Sequence, residues 1–171
     1  TNAMKKIVVV SGGFDPIHVG HVRLIQEAKA LGDELVVILN NDNWLKKKKE
    51  HVFMPEEQRQ EILEAIKGVD RVVLTKHTPD FEDRSVCEAL REIHPDIFAQ
   101  GGDRDKRDAL DPKSSQNPEM ILCAEMGTEI VYNVGAGGKV QSSSWLTAED
   151  RDDRACFCQS GKKYMECCFK K

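Results

Sequence analysis

The chain has 171 residues, enough for one domain with a core of its own and a short appendage. Apolar residues make up 40% and charged residues 32%, with a net charge of -4, so no global field draws the chain to nucleic acid and any anion site must be local. No apolar run approaches a membrane span and no signal peptide is visible, which points to a cytoplasmic protein without membrane segments.

Thr1, Asn2 and Ala3, ahead of Met4, read as an expression scar outside the fold. The apolar run KKIVVVSGG predicts a buried strand over Lys6 to Ser11, ended by glycines. GHVRLIQEAKALGD predicts a helix that Gly32 stops. ELVVILN, Glu34 to Asn40, predicts a second buried strand, followed by a polar loop carrying four lysines. Pro55 opens a helix running to Lys67, with Gly68 beyond it. RVVLT predicts a third strand, Ser85 to Ile93 a helix, and DIFAQ, Asp96 to Gln100, a fourth strand. A long polar segment, Gly101 to Pro118, separates this from a helix over Asn117 to Met126, and EIVYNV predicts a fifth strand. Cys87 and Cys123 fall in helix-like stretches and read as buried structural thiols.

Strands alternating with helices imply an α/β fold: a doubly wound, five-stranded parallel sheet covered on both faces. Ligands of such sheets bind beyond the carboxyl ends of the strands, where the strand order reverses. The stretch SGGFDPIHVGH, Ser11 to His21, occupies that place after the first strand. Its glycine pair lets the backbone turn and approach a ligand. A helix starting near His18 to Gly20 aims free N–H groups and its positive end back at the loop, which makes an anion site. His18 and His21, three residues apart, share one face of the first turn. The G-x-G-x-x-G dinucleotide fingerprint is absent, and a helical zinc pair normally takes i,i+4 spacing with a glutamate.

SGGFDPIHVGH resembles the [ST]-G-x-F-D-x-x-H-x-G-H signature of the cytidylyltransferase-like nucleotidyltransferases, which include glycerol-3-phosphate cytidylyltransferases and the adenylyltransferase domain that makes ADP-heptose. LGDELVVILNND, the lysine run with Pro55 and Arg59, VDRVVL, PDIFAQGGD and SSSWL follow in the family's order, over roughly Lys5 to Thr147. The resemblance implies attack by an acceptor phosphate on the α-phosphorus of CTP or ATP, with loss of pyrophosphate and Mg²⁺ as cofactor. It implies that His18, His21, Lys46 and Arg59 carry the catalysis by binding phosphate and stabilising charge. Ser11, Gly12, Gly13, Phe14, Gly20, Lys48, Gly101, Gly102, Asp103, Ser142, Ser143 and Ser144 would line the nucleotide site. Asp15 would support either a histidine or the Mg²⁺ ion. The acceptor would be a small sugar phosphate or polyol phosphate. The chain departs from the pattern at Gln141, Thr147 and Ala148 around the serines, where Lys139 stands in for a missing basic residue.

The end of the chain resembles the short zinc-binding SEC-C motif, C-x-C-x₈-C-[CH], including its S-G-K-K-Y core at Ser160 to Tyr164. That resemblance implies a structural Zn²⁺ on Cys156, Cys158, Cys167 and Cys168. The expected division is a nucleotidyltransferase domain over 4–148 and a zinc tail over 149–171. A homodimer, and a protein partner docked through the tail, are the associations compatible with this reading; nucleic acid is not expected. The rival function is a non-catalytic nucleotide-sensing adaptor that recruits its partner through the tail.

Overall fold

The computed structural model describes residues 4–102, 104, 106–135, 143 and 146. Five parallel strands, β1 (Ile7–Gly12), β2 (Glu34–Leu39), β3 (Arg71–Leu74), β4 (Ile97–Gly101) and β5 (Glu129–Val134), form one sheet in the order β3-β2-β1-β4-β5. The chain winds outward from β1 to β3, then crosses back to β4 beside β1. The order therefore reverses between β1 and β4.

Alternation along the strands divides the core between two faces. Val8, Val10, Leu35, Val37, Leu39, Ile97 and Ala99 pack on one face with Ile25 and Ala28 of α1 (Val19–Lys29) and Leu63 of α3 (Glu56–Ala65). Val9, Val36, Ile38 and Phe98 pack on the other with α4 (Cys87–Ile93) and α6 (Gln116–Met126). Each buried Val, Leu, Ile or Phe contributes roughly 1.5–3 kcal/mol relative to exposure. Both cysteines expected in the core are there, and burial raises the thiol pKa values, Cys123 to about 12.

The amino-terminal edge of the sheet is closed by aspartates. Asp33 Oδ2 accepts from Lys6 N (2.8 Å), Asp96 Oδ2 from Ile7 N (2.7 Å) and Asp70 Oδ2 from Leu35 N (2.7 Å). Each sits just before a strand and ties down the first N–H groups of the strand beside it.

Two helices differ from expectation. The lysine run is not a loop but the end of α2 (Asp42–Lys49). Asn41 caps it, its side chain accepting from Trp44 N at 3.0 Å, and buried Trp44 and Leu45 anchor it. Consecutive lysines suit the last turn because the helix dipole ends there in partial negative charge. The polar segment after β4 likewise contains α5 (Lys106–Leu110), held by Ala109 in the interior. Among the described residues no helix is long and apolar enough to cross a membrane.

Candidate phosphate-binding site

β1 delivers the chain to the carboxyl edge of the sheet, and the residues after it are held on all sides. A Cβ on Gly13 would stand 2.9 Å from Leu45 Cδ2, so any larger residue here would have to push the Leu45 side chain aside. Phe14 follows with φ 49° and turns its ring inward, 2% exposed, with its edge on the His21 ring at 4.8 Å between centroids. Phe14 therefore backs the histidine and offers no ring to a nucleotide.

Asp15 is also buried, at 2% exposure. Its carboxylate accepts from Phe53 N (2.8 Å) and Met54 N (2.6 Å), which fastens the segment before α3 to the signature loop. Of the two roles left open for Asp15, support of a histidine or of Mg²⁺, the geometry shows neither; each oxygen accepts one backbone N–H. Among the described residues no group of three or more His, Cys, Asp or Glu side chains could hold a metal.

Arg59 corrects a second expectation. Its side chain is fully buried. Nε donates to Met54 O, Nη1 to Gly13 O and Asn40 O, and Nη2 to Asp42 Oδ1, at 2.6–2.8 Å. It is closed off from solvent. Its work is to knit the signature loop, the end of β2, the start of α2 and the start of α3 into one piece.

The two histidines emerge from this scaffold. His18 is the N-cap of α1: its Nδ1 accepts from Gly20 N at 3.1 Å, while His21 Nδ1 accepts from His18 N at 3.3 Å. The rings stack with centroids 3.8 Å apart and 21° between planes. A ring nitrogen that accepts carries no proton, so each neutral imidazole is protonated on Nε2. Both rings thus present Nε2–H donors at the start of α1. Burial, then the neighbouring His18 and Lys49, pull the His21 pKa from 6.5 down to about 3, so it stays neutral near pH 7.

The lysines divide by position on α2. Lys47 Nζ donates to the Phe81 carbonyl and lies over its ring; Lys48 lies over Trp44 at 4.5 Å from the ring centroid. Lys48, expected on the nucleotide, thus spends its charge on an aromatic face. Lys46 is exposed, one turn before Lys49 on the helix. Lys49, which sequence reasoning passed over, places Nζ 3.2 Å from Asp15 O. Desolvation lowers its pKa, with a further lowering from Arg59 against a rise from Asp15. A partly desolvated ammonium beside two imidazoles gains most from an incoming anion. The run of identical residues hid this register; only the helix phase set by Trp44 and Leu45 separates its members.

Ser143 joins the site through Oγ, which donates to Pro16 O at 2.8 Å. Ser11 lies half-buried one residue before the end of β1, and Gly101 ends β4 with Gly102 in the following turn, closed by Arg104 N on Gly101 O at 3.1 Å. Arg104 Nη1 stands 3.9 Å from Glu119 Oε2, a buried oxygen without a hydrogen-bond partner, while Glu119 Oε1 accepts from Val86 N. Burial raises the Glu119 pKa. This pair also escaped the sequence reading. Asp103, Ser142, Ser144 and the four tail cysteines, Cys156, Cys158, Cys167 and Cys168, lie outside the described residues.

Two stacked imidazoles, a nearby ammonium and a helix N-terminus lie together beyond β1. A family profile described as "Cytidylyltransferase-like" matches residues 9–123. The chain is 44% identical over 101 residues to the FAD synthase of Ferroglobus placidus, covering 59% of this chain and 61% of that protein. It is 43% identical over 97 residues to the FAD synthase of Methanosarcina mazei, covering 57% and 60%. It is 37% identical over 101 residues to the bifunctional protein HldE of Koribacter versatilis, covering 58% of this chain and 20% of that protein. The match thus spans less than two thirds of these relatives' length. Among solved structures, a lipopolysaccharide core biosynthesis protein from Thermoplasma volcanium superposes with TM-score 0.61 at 27% identity, over 77% of this chain and 98% of that one. A pantoate-beta-alanine ligase from Francisella tularensis shares the fold, with TM-score 0.58 at 17% identity, over 86% and 67%.

Proposed function

Because the chain belongs to the cytidylyltransferase-like family, we propose that it is a nucleotidyltransferase that moves a nucleoside monophosphate from ATP or CTP onto a small phosphorylated acceptor. The observation that carries this reading is the stacked His18–His21 pair, whose Nδ1 atoms accept the N–H groups of the start of α1, with Lys49 near His21.

In the reaction an acceptor phosphate oxygen bonds to the α-phosphorus, the bond from that phosphorus to the bridging oxygen breaks, and pyrophosphate leaves with the electron pair. The histidine Nε2–H groups hold the phosphate oxygens as charge moves toward the leaving group. Lys49, with Lys46 one turn before it, offsets the charge of the departing pyrophosphate, and Mg²⁺ accompanies the triphosphate. Gly12, Gly13 and Gly20 leave room for backbone approach, Gly101 and Gly102 form the opposite lip at β4, and Ser143 closes the end over Pro16. Asp15 and Arg59 act through this framework and touch neither reactant.

The relatives named FAD synthase support ATP over CTP, since FAD is FMN joined to AMP, and they add FMN to the sugar and polyol phosphates as an acceptor. Pyrophosphate release is measured with ATP or CTP against FMN, glycerol 3-phosphate and hexose phosphates. Release with one pair establishes the activity. Tight binding of nucleotide without release for any acceptor would overturn it in favour of the non-catalytic adaptor.

A further inference from the structure

Among the described residues three buried side-chain oxygens have no hydrogen-bond partner: Asn40 Oδ1, Gln116 Oε1 and Glu119 Oε2. A buried acceptor left unpaired is costly, and most costly when it belongs to a charged group, which singles out Glu119. Glu119 is 3% exposed, and burial pushes its pKa up. Its Oε1 is committed, accepting from Val86 N at 3.0 Å where α4 begins. Its Oε2 faces Arg104, whose Nη1 stands 3.9 Å away: close enough for an ion pair and too far for a hydrogen bond. Arg104 belongs to the turn after β4, where its N–H donates to Gly101 O at 3.1 Å and closes the turn that carries Gly102. Its side chain is partly exposed, whereas Glu119 is enclosed and tied from α6 to α4.

We propose that Glu119 is a positioning residue for nucleotide binding: its unpaired oxygen receives the Arg104 guanidinium when a nucleoside triphosphate occupies the lip at Gly101 and Gly102, which fastens that lip to α4 and α6. The inference rests on the nucleotidyltransferase reading and deepens it. A guanidinium that closes from 3.9 Å to hydrogen-bond distance on a desolvated carboxylate gains a charge-assisted bond and supplies the donor that Oε2 lacks. The lip and Arg104 share one turn, so a ligand that presses on Gly101 and Gly102 carries Arg104 with them. The free chain forgoes the bond, and that difference between the two arrangements is what a bound nucleotide draws on. Glu119 acts through Arg104 and touches no reactant.

The test is a double-mutant cycle on the full chain, with dissociation constants for ATP and CTP measured by calorimetry in wild type, Arg104→Ala, Glu119→Gln and the double variant. Glu119→Gln keeps a carbonyl oxygen for Val86 N and turns toward Arg104 an amide nitrogen that cannot accept from it. We expect each single substitution to weaken binding of the preferred nucleotide about tenfold, and the double variant to bind no more weakly than the singles. Without nucleotide, Arg104→Ala should melt within a few degrees of wild type, because its pair is not hydrogen-bonded there. Wild-type affinity in Arg104→Ala overturns the proposal. So do single effects that multiply in the double variant, and weak binding in Arg104→Ala beside wild-type binding in Glu119→Gln, which would put Arg104 on the nucleotide itself. Amide exchange gives a reading that needs no Glu119 variant: nucleotide should slow exchange at Val86 N–H in wild type and not in Arg104→Ala, and equal slowing in both overturns the proposal even where Glu119→Gln does not fold. A wild type that binds neither ATP nor CTP overturns the nucleotidyltransferase reading, and this inference with it.

Discussion

The two edges of the sheet are both rich in polar side chains, and they use them differently. At the amino-terminal edge Asp33, Asp70 and Asp96 each spend a carboxylate oxygen on the first backbone N–H groups of a neighbouring strand. At the carboxyl edge the polar groups form two tiers. Asp15 and Arg59 are buried and satisfied largely by the backbone, whereas the aspartates of the other edge are exposed. His18 and His21 stand on that tier with their Nδ1 atoms accepting the N–H groups of the helix start, and Lys49 reaches the Asp15 carbonyl. The lesson is that motif membership does not separate scaffold from working group. What separates them is how deeply the charged group is enclosed: Arg59 and Asp15 are buried among backbone partners.

The largest expected effect comes from breaking the lower tier. Arg59→Ala leaves Asp42 and the carbonyls of Met54, Gly13 and Asn40 without their buried donor. We expect a loss of about 3–5 kcal/mol in stability, read from the urea midpoint, with activity falling alongside. A variant as stable as wild type that only binds nucleotide less well would return Arg59 to the phosphate.

Next comes the upper tier. Lys49→Ala should raise the nucleotide KM roughly 10- to 100-fold with little change in melting temperature, by loss of a partly desolvated charge pair. Lys47→Ala, whose ammonium is held at Phe81, should leave KM near wild type. Equal effects would erase the assignment within the lysine run.

The comparison sharpens with pH. Folding lowers the His21 pKa from 6.5 to about 3, so between these values the unfolded chain takes up a proton that the folded chain refuses. Stability contributed by neutral His21 is therefore full above the unfolded pKa and falls with pH below it, by up to about 1.4 kcal/mol per unit. Denaturation of wild type and His21→Gln at pH 7 and pH 5 checks this: wild type should lose more, and equal losses would contradict it.

The smallest effect belongs to the amino edge. Asp70→Asn weakens the bond to Leu35 N and removes the ion pair with Lys29, at about 1 kcal/mol of stability, and leaves turnover unchanged. Altered turnover would mean that the two edges are coupled.

Much of this was legible in the sequence. The five strands announce themselves as Val- and Ile-rich runs because strands buried on both faces need apolar side chains at every position. The glycine turn and the histidine spacing point to an anion site without further help. The α2 helix was not legible, since four lysines read as a solvated loop and only the burial of Trp44 and Leu45 makes them the end of a helix. Nor were the roles of Asp15 and Arg59, because a charged residue in a phosphate motif reads as a ligand until its partners are seen. The unpartnered Glu119 oxygen beside Arg104 has no sequence signal at all; it arises where α6 meets the turn after β4.

The central claim is that His18 and His21 bind and stabilise phosphate through Nε2 while Nδ1 serves the helix start. His18→Asn and His21→Asn keep an acceptor near the Nδ1 position for the capping bonds and leave no donor at the Nε2 position. Pyrophosphate release by each variant, with the melting temperature measured on the same sample, separates the two roles. The prediction is a fall of about 10²–10⁴-fold in kcat/KM with melting within a few degrees of wild type. Wild-type rates in both variants would contradict it.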